Sequence, residues 1–264
     1  MPRTTLALTS FVSGEFSPKM DGRTDFEKYN SGAKTLENFL VHPQGAATRR
    51  VGTQFIAEVK SSAAKTRLIP FEFSTTQTYI LEFGNTYIRF FKDKGQIQDS
   101  GSAYEISSPY LTAELFEIKF AQSADVMYIT HPNHEVMKLS RTGHTSWTLA
   151  EVAFTDGPYL ATNSTTTTLT PASASVATGV NITASAVTGI NGGAGFQTTD
   201  VGRIISFNSG KAKITARTST TVVVATITIA FTNTNATEAF NLGAFSDTTG
   251  HPSCVSFFEQ RLVF

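Results

Sequence analysis

The sequence has little cysteine and no long apolar run. Cys254 is the single cysteine among 264 residues, which excludes an intrachain disulfide and any metal cluster built from cysteines. We interpret Cys254 as a small buried residue of a strand. No stretch is long enough to span a membrane as a helix, and Met1–Thr5 lacks the apolar segment of a signal peptide. We therefore expect a protein made in a cytoplasm, which either stays there or is assembled there into a particle that leaves.

Charged residues are also scarce, at 16% of the chain, against about 25% in ordinary soluble domains. The 21 basic and 21 acidic residues balance, which argues against a general nucleic-acid-binding surface. The distribution is uneven, because residues 1–70 carry a net charge of +4, residues 71–150 carry −3 and residues 151–264 carry −1. This basic bias is too small to identify a partner.

Threonine, serine and phenylalanine are abundant instead, with 21 phenylalanines in the chain. β-branched and aromatic residues favour strands over helices, so the composition predicts a mainly β protein. A chain this poor in charge also indicates that other chains cover part of its surface.

Residues 1–60 form the first of four regions and contain the one helix that we predict. A short strand is expected at 6–12, and a helix is expected at 25–40, with Thr24 or Asp25 as its cap and Pro43 as its stop. Ser31-Gly32 is a break point inside this helix. The apolar residues of the segment are spaced by three or four, as on one face of a helix: Phe26, Tyr29, Ala33, Leu36, Phe39 and Leu40.

The second region, residues 61–155, reads as a series of antiparallel strands. Turn compositions separate the runs, among them Gly84-Asn85, a candidate two-residue hairpin. The evenly spaced later strands are typical of one propeller blade or of half a barrel, and the pattern does not separate these two. The predicted strands are 67–73, 78–83, 87–92, 118–123, 126–130, 136–140 and 147–152.

The third and fourth regions follow a sharp change in composition. Residues 156–247 are rich in threonine and nearly free of Lys and Arg before Arg203, which indicates a small β-barrel-like domain inserted into the larger one. Strands are predicted there at 182–187, 204–207, 211–216 and 221–227. Residues 248–264 read as one Phe-rich return strand of the main β-domain, and we expect the chain to be part of a longer protein.

No catalytic or metal-binding constellation is evident in the sequence. His131 and His134 stand three residues apart, but Pro132-Asn133 between them indicates a turn, and only Glu135 is adjacent as a further ligand. The loop 192–195 lacks the Lys-Ser/Thr of a phosphate-binding loop. We therefore predict no enzyme activity, no metal, no cofactor and no small-molecule substrate.

The stretch from residue 13 to residue 55 resembles the N-terminal signature of the tail nozzle proteins of short-tailed bacteriophages, also called tail tubular protein B or stabilisation proteins. The matching stretches in order are Ser13–Asp25 (SGEFSPKMDGRTD), Lys28-Tyr29, Gly32–Phe39 (GAKTLENF) and Pro43–Phe55 (PQGAATRRVGTQF). Residues 156–159, 246–252 and 257–264 look like the same family. Residues 156–247 are similar to a module labelled in such proteins as a catalytic-cysteine half-domain of ubiquitin-activating enzymes, but without a cysteine they carry no ubiquitin chemistry.

This resemblance implies a hexameric ring in the virion tail, below the portal and the adaptor protein and assembled in the bacterial cytoplasm. Tail fibres or tailspikes are further partners, and double-stranded DNA passes through the lumen during ejection. The candidate assembly-interface residues are Arg23, Asp25, Tyr29, Arg49 and Arg50. For Arg49 and Arg50 the alternatives are a neighbouring subunit, the adaptor and DNA.

The alternative function is a host-surface adhesin, or a tailspike-like protein, that binds glycans through residues 156–247. Such a protein would form trimers and would need an exposed aromatic surface for sugars. The aromatic residues of this segment read as core instead: Phe196, Phe207, Phe231 and Phe240.

Overall fold

The computed structural model describes residues 7–264 and has two compact units, one ending at Phe55 and the other running from Ile56 to Phe264. The protein is mainly β, as predicted, with 41% of its residues in strands and 5% in short helices. Within the described residues, no helix has the length and apolar character needed to cross a membrane.

The first unit contains only short elements. Its strands are β1 (Gly14–Glu15), β2 (Gly32–Ala33), β3 (Phe39–Val41) and β4 (Ala47–Arg49), and its 3₁₀ helices are Pro18–Met20 and Glu27–Ser31. Strands β1 and β2 pair in parallel, and β3 and β4 form an antiparallel hairpin.

The helix predicted at 25–40 is therefore wrong. One 3₁₀ turn forms and then gives way at Gly32, whose backbone bridges to Gly14. An amphipathic helix is stabilised mainly by burying its apolar stripe, and here Phe26, Phe39 and Leu40 are exposed. The predicted strand at 6–12 is also wrong over residues 7–12, which have no strand, while Leu6 lies outside the described residues.

The second unit begins with eleven strands. They are β5 (Arg67–Glu72), β6 (Thr78–Gly84), β7 (Tyr87–Lys92), β8 (Gly95–Gln96), β9 (Gln98–Asp99), β10 (Ser102–Ala103), β11 (Glu105–Ser107), β12 (Lys119–Ser123), β13 (Val126–His131), β14 (His134–Gly143) and β15 (Ser146–Glu151). One sheet has the order β11-β7-β6-β5 with β8 beside β7, a second has the order β12-β13-β14-β15, and β9 pairs with β10. All seven strands predicted in this region are present, with ends shifted by at most three residues.

The hairpin between β6 and β7 turns one residue later than predicted. Gly84 pairs with Tyr87, so the turn residues are Asn85-Thr86, and Thr86 has a φ of 63°. A side chain at Gly84 would overlap the Tyr87 ring that lies against it. This glycine is needed for close packing across the pair and not for the turn.

Both sheets bury their inner faces in one aromatic core. Trp147 is at its centre, with ring centroids 4.5 Å from Phe90 and 4.8 Å from Phe71. The buried members of this core are Ile69, Phe71, Tyr79, Leu81, Phe83, Ile88, Phe90, Tyr110, Leu115, Ile118, Met127, Ile129, Leu139 and Trp147.

The two sheets meet along the edges of β5 and β12. The Gln122 amide accepts a hydrogen bond from the backbone N–H of Glu72 (3.1 Å) and donates one to its carbonyl (3.0 Å). Arg67 donates to the carbonyls of Leu115 (2.8 Å) and Ile118 (2.7 Å). These contacts favour the half-barrel alternative for the region, and the propeller is not confirmed.

Residues 165–243 form a six-stranded antiparallel sheet with its own core. The strands are β16 (Leu169–Pro171), β17 (Val180–Ala184), β18 (Ile204–Phe207), β19 (Gly210–Arg217), β20 (Val222–Ile229) and β21 (Phe240–Leu242), in the order β16-β17-β20-β19-β18-β21. Two 3₁₀ helices, Asn191–Gly193 and Thr198–Asp200, lie in the loop before β18. Phe196, Phe207, Phe231 and Phe240 are buried in this core, as predicted.

A buried ion pair lies beside this sheet. Arg203 and Asp200 have fully buried side chains, and Arg203 Nη1 donates to Asp200 Oδ1 at 2.9 Å. Arg203 also donates to the carbonyl of Gly243 and to Asn191 Oδ1, both at 2.7 Å. Asp200 Oδ2 accepts the backbone N–H of Gln197 at 2.7 Å. Because each charge has several partners, the pair fixes the loop 191–203 against the sheet.

The last residues form a hairpin and not the single strand predicted. Strands β22 (Ser256–Phe258) and β23 (Arg261–Val263) pair across Glu259-Gln260, both of which have positive φ. Cys254 is exposed, so its interpretation as a buried strand residue is also wrong. No signal in the run 255–264 marked a turn, since neither glycine nor proline occurs there.

Candidate assembly surface

The predicted interface residue Tyr29 packs inside the loop of the first unit. Its ring stacks on Phe16, with centroids 5.9 Å apart and planes 10° apart. Its hydroxyl accepts the backbone N–H of Gly22 at 3.1 Å. A side chain at Gly32 would overlap the Phe16 ring, so this glycine makes room for the stack. Tyr29 therefore shapes the loop and offers only part of its surface to a partner.

Arg23 and Asp25 pair with each other at the surface of the same loop. Two parallel hydrogen bonds of 2.8 and 2.7 Å join the guanidinium to the carboxylate. The Arg23 hydrogen bonds lower the pKa of Asp25 below its ordinary value. Both groups are solvent-exposed, and exposed pairs contribute little to stability. The pair is free to exchange partners when another chain approaches.

Arg49 and Arg50 end the β3–β4 hairpin and line an open groove of about 600 Å³ with Asn38 and residues 51–53. Arg50 is held in place, since its Nε donates to Asn38 Oδ1 at 2.6 Å and its backbone N–H donates to the Asn38 carbonyl at 2.9 Å. Within residues 7–264, no carboxylate forms a salt bridge with Arg49 or Arg50. The groove therefore presents two cations without a counter-ion.

The exposed apolar side chains around these arginines were not predicted as a surface. The hairpin residues Phe39 and Leu40, and the following Val51 and Phe55, are all exposed. The signal was present as the consecutive run Phe39-Leu40-Val41, but the helical spacing led to a buried face being expected. We name Phe39, Leu40, Arg49, Arg50, Val51 and Phe55 the hairpin surface.

The structure separates the five predicted interface residues into two groups. Arg23, Asp25 and Tyr29 share the loop before β2, whereas Arg49 and Arg50 lie at the hairpin surface. Among the described residues, no hydrogen bond or salt bridge joins one group to the other. The second group is surrounded by more exposed apolar side chains, namely Phe39, Leu40, Val51 and Phe55, whereas the first group has Phe26 beside it.

A second polar cluster lies in the other unit, at the tip of the β13–β14 hairpin. His131 and His134 pair across Pro132-Asn133, so the predicted turn is confirmed. The carboxylates that meet them are not Glu135 but Glu114, whose Oε2 is 2.8 Å from His134 Nε2, and Glu117, whose Oε2 is 3.5 Å from His131 Nε2. Ligand atoms of Glu114 and both histidines lie within 4.8 Å of one another. The loop that carries Glu114 is 17 residues before His131 in the chain, so local spacing could not reveal it.

The hydrogen bonds of His131 do not fit a resident metal ion. Its Nδ1 accepts the backbone N–H of Asn133 at 3.1 Å, which assigns the proton of the neutral ring to Nε2. Burial lowers the pKa of His131, which favours this neutral form. A metal bound at Nε2 would use the lone pair of that nitrogen and would move the proton to Nδ1, so the hydrogen bond from Asn133 would be lost. Histidines that bind a metal ordinarily donate a hydrogen bond from their other ring nitrogen, whereas Nδ1 of His131 accepts one. Within this cluster, Glu114 and His134 are joined by a hydrogen bond, while His131 is held by the backbone N–H of Asn133 and lies 3.5 Å from Glu117 Oε2.

No protein-family model and no curated protein matches this chain. Functional inference therefore depends on the sequence signature at 13–55 and on the surface that the same residues present.

Proposed function

We propose that this chain is a structural, non-enzymatic subunit of a bacteriophage short tail, in which six copies form the nozzle ring below the portal and adaptor. The observation that carries this proposal is the burial of residues 7–55, where the only buried residues are Gly32 and Gly45. The segment with the family signature is therefore also the segment that lacks a core.

A segment without buried side chains has little to offset the entropy of ordering it. Fixing one residue's backbone costs about 1–2 kcal/mol, and burial of apolar surface is the main compensation. Residues 7–55 lack that compensation within the segment itself, and Phe39, Leu40, Val51 and Phe55 are exposed. A subunit that completes its fold by packing on its neighbours has this character.

We further propose that residues 156–247 are an inserted barrel-like domain. The chain enters and leaves it side by side, since Tyr159 bridges to Gly243 and the Leu160 N–H donates to the Leu242 carbonyl at 2.8 Å. The core of this segment is separate from that of the preceding sheets. In a ring, an insertion of this kind does not interrupt the part of the chain that precedes it and the part that follows it.

The balanced charge suits a conduit for DNA. Each phosphate neutralised by Lys or Arg adds affinity, so a strongly basic lumen would hold the genome that it must release. The adhesin alternative has less support, because Phe196, Phe207, Phe231 and Phe240 are buried and cannot form a surface on which sugars stack.

The test is the oligomeric state of the full chain, alone and with the adaptor protein of the same phage. Sedimentation velocity over a range of concentrations should show self-association, and negative-stain images should show rings with sixfold symmetry. A chain that stays monomeric at every concentration, and that never joins tail particles, would refute the proposal. Binding on a glycan array by a trimeric form would favour the adhesin.

A further inference from the structure

The loop 109–118 of the second unit presents apolar and acidic side chains together. Leu111 and Phe116 are 50% and 61% exposed, and the side chain of Glu117 is 66% exposed. Large apolar side chains at this exposure, beside a mostly exposed carboxylate whose near contact is His131 Nε2 at 3.5 Å, are typical of a contact surface and not of an ordinary loop. We name Leu111, Phe116 and Glu117 the acidic loop surface.

This loop is rigidly anchored. Tyr110, Leu115 and Ile118 are fully buried and alternate with its exposed side chains. The Glu114 carboxylate accepts the Leu111 N–H at 2.9 Å, and the Glu117 N–H donates to the Glu114 carbonyl at 3.0 Å. The acidic loop surface is therefore preorganised, which lowers the entropy lost on binding.

The hairpin surface has the complementary chemistry. Arg49 and Arg50 line an open groove, Arg50 is oriented by Asn38, and the apolar Val51 is 84% exposed. The hairpin surface carries two cations, Arg49 and Arg50, whereas the acidic loop surface carries the Glu117 carboxylate. Charge complementarity of this kind selects and orients a partner.

We propose that the hairpin surface of one copy binds the acidic loop surface of the next copy, with Arg49 and Arg50 facing Glu117 and with Val51 and Phe116 in apolar contact. This inference rests on the proposed function, and it names the contact that builds the ring. The contact is heterologous, because different surfaces of two identical chains meet, and heterologous contacts close into rings when the rotation permits.

The lining of the groove favours protein over DNA as its occupant. A site for the phosphate backbone would use several cations, and here two arginines stand beside exposed apolar side chains. Another protein chain can pair with the arginines and pack against the apolar side chains at the same time. The experiment below can also show that duplex DNA is the occupant of the groove.

Charge reversal in the full chain tests the contact. Arg49→Glu with Arg50→Glu, and Glu117→Arg alone, should each raise the concentration needed for half-assembly by about tenfold or more, since like charges then meet. The triple variant should restore assembly to within about threefold of wild type. Phe116→Ser should weaken assembly, whereas Phe258→Ser, at an equally exposed phenylalanine, should not. Glu238→Arg is the matched charge control.

The outcomes separate this inference from the proposed function. If wild type forms rings and the charge variants assemble equally well, or if the triple variant shows no rescue, the contact is wrong and the nozzle proposal stands. If Arg49→Glu with Arg50→Glu leaves assembly intact but abolishes salt-sensitive binding of a duplex oligonucleotide, DNA is the occupant and the contact is overturned. If wild type never self-associates, both fail. Circular dichroism of each variant checks that the fold is retained.

Discussion

Residues 7–55 and residues 165–243 are both built from short strands and turns, yet they differ completely in burial. The later segment buries sixteen apolar residues in a core of its own. The earlier one buries only Gly32 and Gly45. Strand-forming composition is therefore not enough to make an independent fold, because the free energy comes from the apolar area removed from water. Residues 7–55 lack that area, so they do not form a core of their own.

The same contrast in burial appears in two Arg–Asp pairs. Arg23 and Asp25 are joined by two short hydrogen bonds in solvent, whereas Arg203 and Asp200 are joined by one, at 2.9 Å, with both side chains fully buried. Removing one partner from an exposed pair costs little, but it leaves an uncompensated charge when the pair is buried. The two pairs make a matched comparison of the two regions.

The largest effect is expected from Asp200→Ala. The substitution leaves the Arg203 guanidinium buried without its carboxylate, which should lower the free energy of unfolding by about 3–5 kcal/mol. Urea denaturation followed by tryptophan fluorescence and circular dichroism measures it. The matched variant Asp25→Ala should leave the transition unchanged. Equal effects from both substitutions would contradict the contrast between the regions.

A smaller loss of stability is expected from Gly84→Ala. The added methyl group would displace the Tyr87 ring, whose hydroxyl donates to the buried Glu82 carboxylate at 2.6 Å. Overpacking and the lost hydrogen bond together should cost about 2 kcal/mol. Gly52→Ala is the control, since that glycine has open space around it. If Gly84→Ala melts at the wild-type temperature, the close packing has no energetic role.

A pH effect of about 1 kcal/mol is expected from Glu135. Burial, and then the hydrogen bond to Glu151, raise the pKa of Glu135 to about 7. A carboxyl with a raised pKa binds its proton more tightly in the folded protein than in the unfolded chain. Its contribution to the free energy of unfolding is therefore full below the ordinary pKa and is lost as pH rises through 7.

Glu135→Gln should therefore flatten the fall in stability between pH 4.5 and 7, by about 1 kcal/mol after allowance for solvent screening. Thermal unfolding of both proteins across that range measures the difference in slope. The exposed residue Glu238 supplies the control substitution Glu238→Gln. A variant with the wild-type slope would show that Glu135 does not titrate in this range.

The smallest effect on stability is expected from Phe55→Ser in the first unit. Phe55 is 76% exposed, so the free energy of unfolding should change by about 0.5 kcal/mol or less. Phe240→Ser in the buried core should be strongly destabilising by comparison. A large loss of monomer stability from Phe55→Ser would show that residues 7–55 have a core that burial in the single chain does not reveal.

The sequence by itself determined the elements whose signals are local. Alternating apolar residues and turn compositions correctly placed the strands of 67–92 and 119–151, the turn at Pro132-Asn133 and the buried phenylalanines of 165–243. These features depend on side-chain periodicity and on backbone preferences within a few residues. The resemblance of residues 13–55 to the nozzle proteins is also a prediction from the sequence, and it supports the proposed function beside the burial of residues 7–55.

Only the tertiary structure decided the features that depend on distant contacts. The helical spacing at 25–40 had no surface on which to bury its apolar stripe, so a 3₁₀ turn and a hairpin formed in place of a helix. Glu114 meets His134, and Arg203 meets Gly243, across 20 and 40 residues of chain. Burial is a property of the whole packed chain, and it is burial that distinguishes residues 165–243, which have a core of their own, from residues 7–55, which do not.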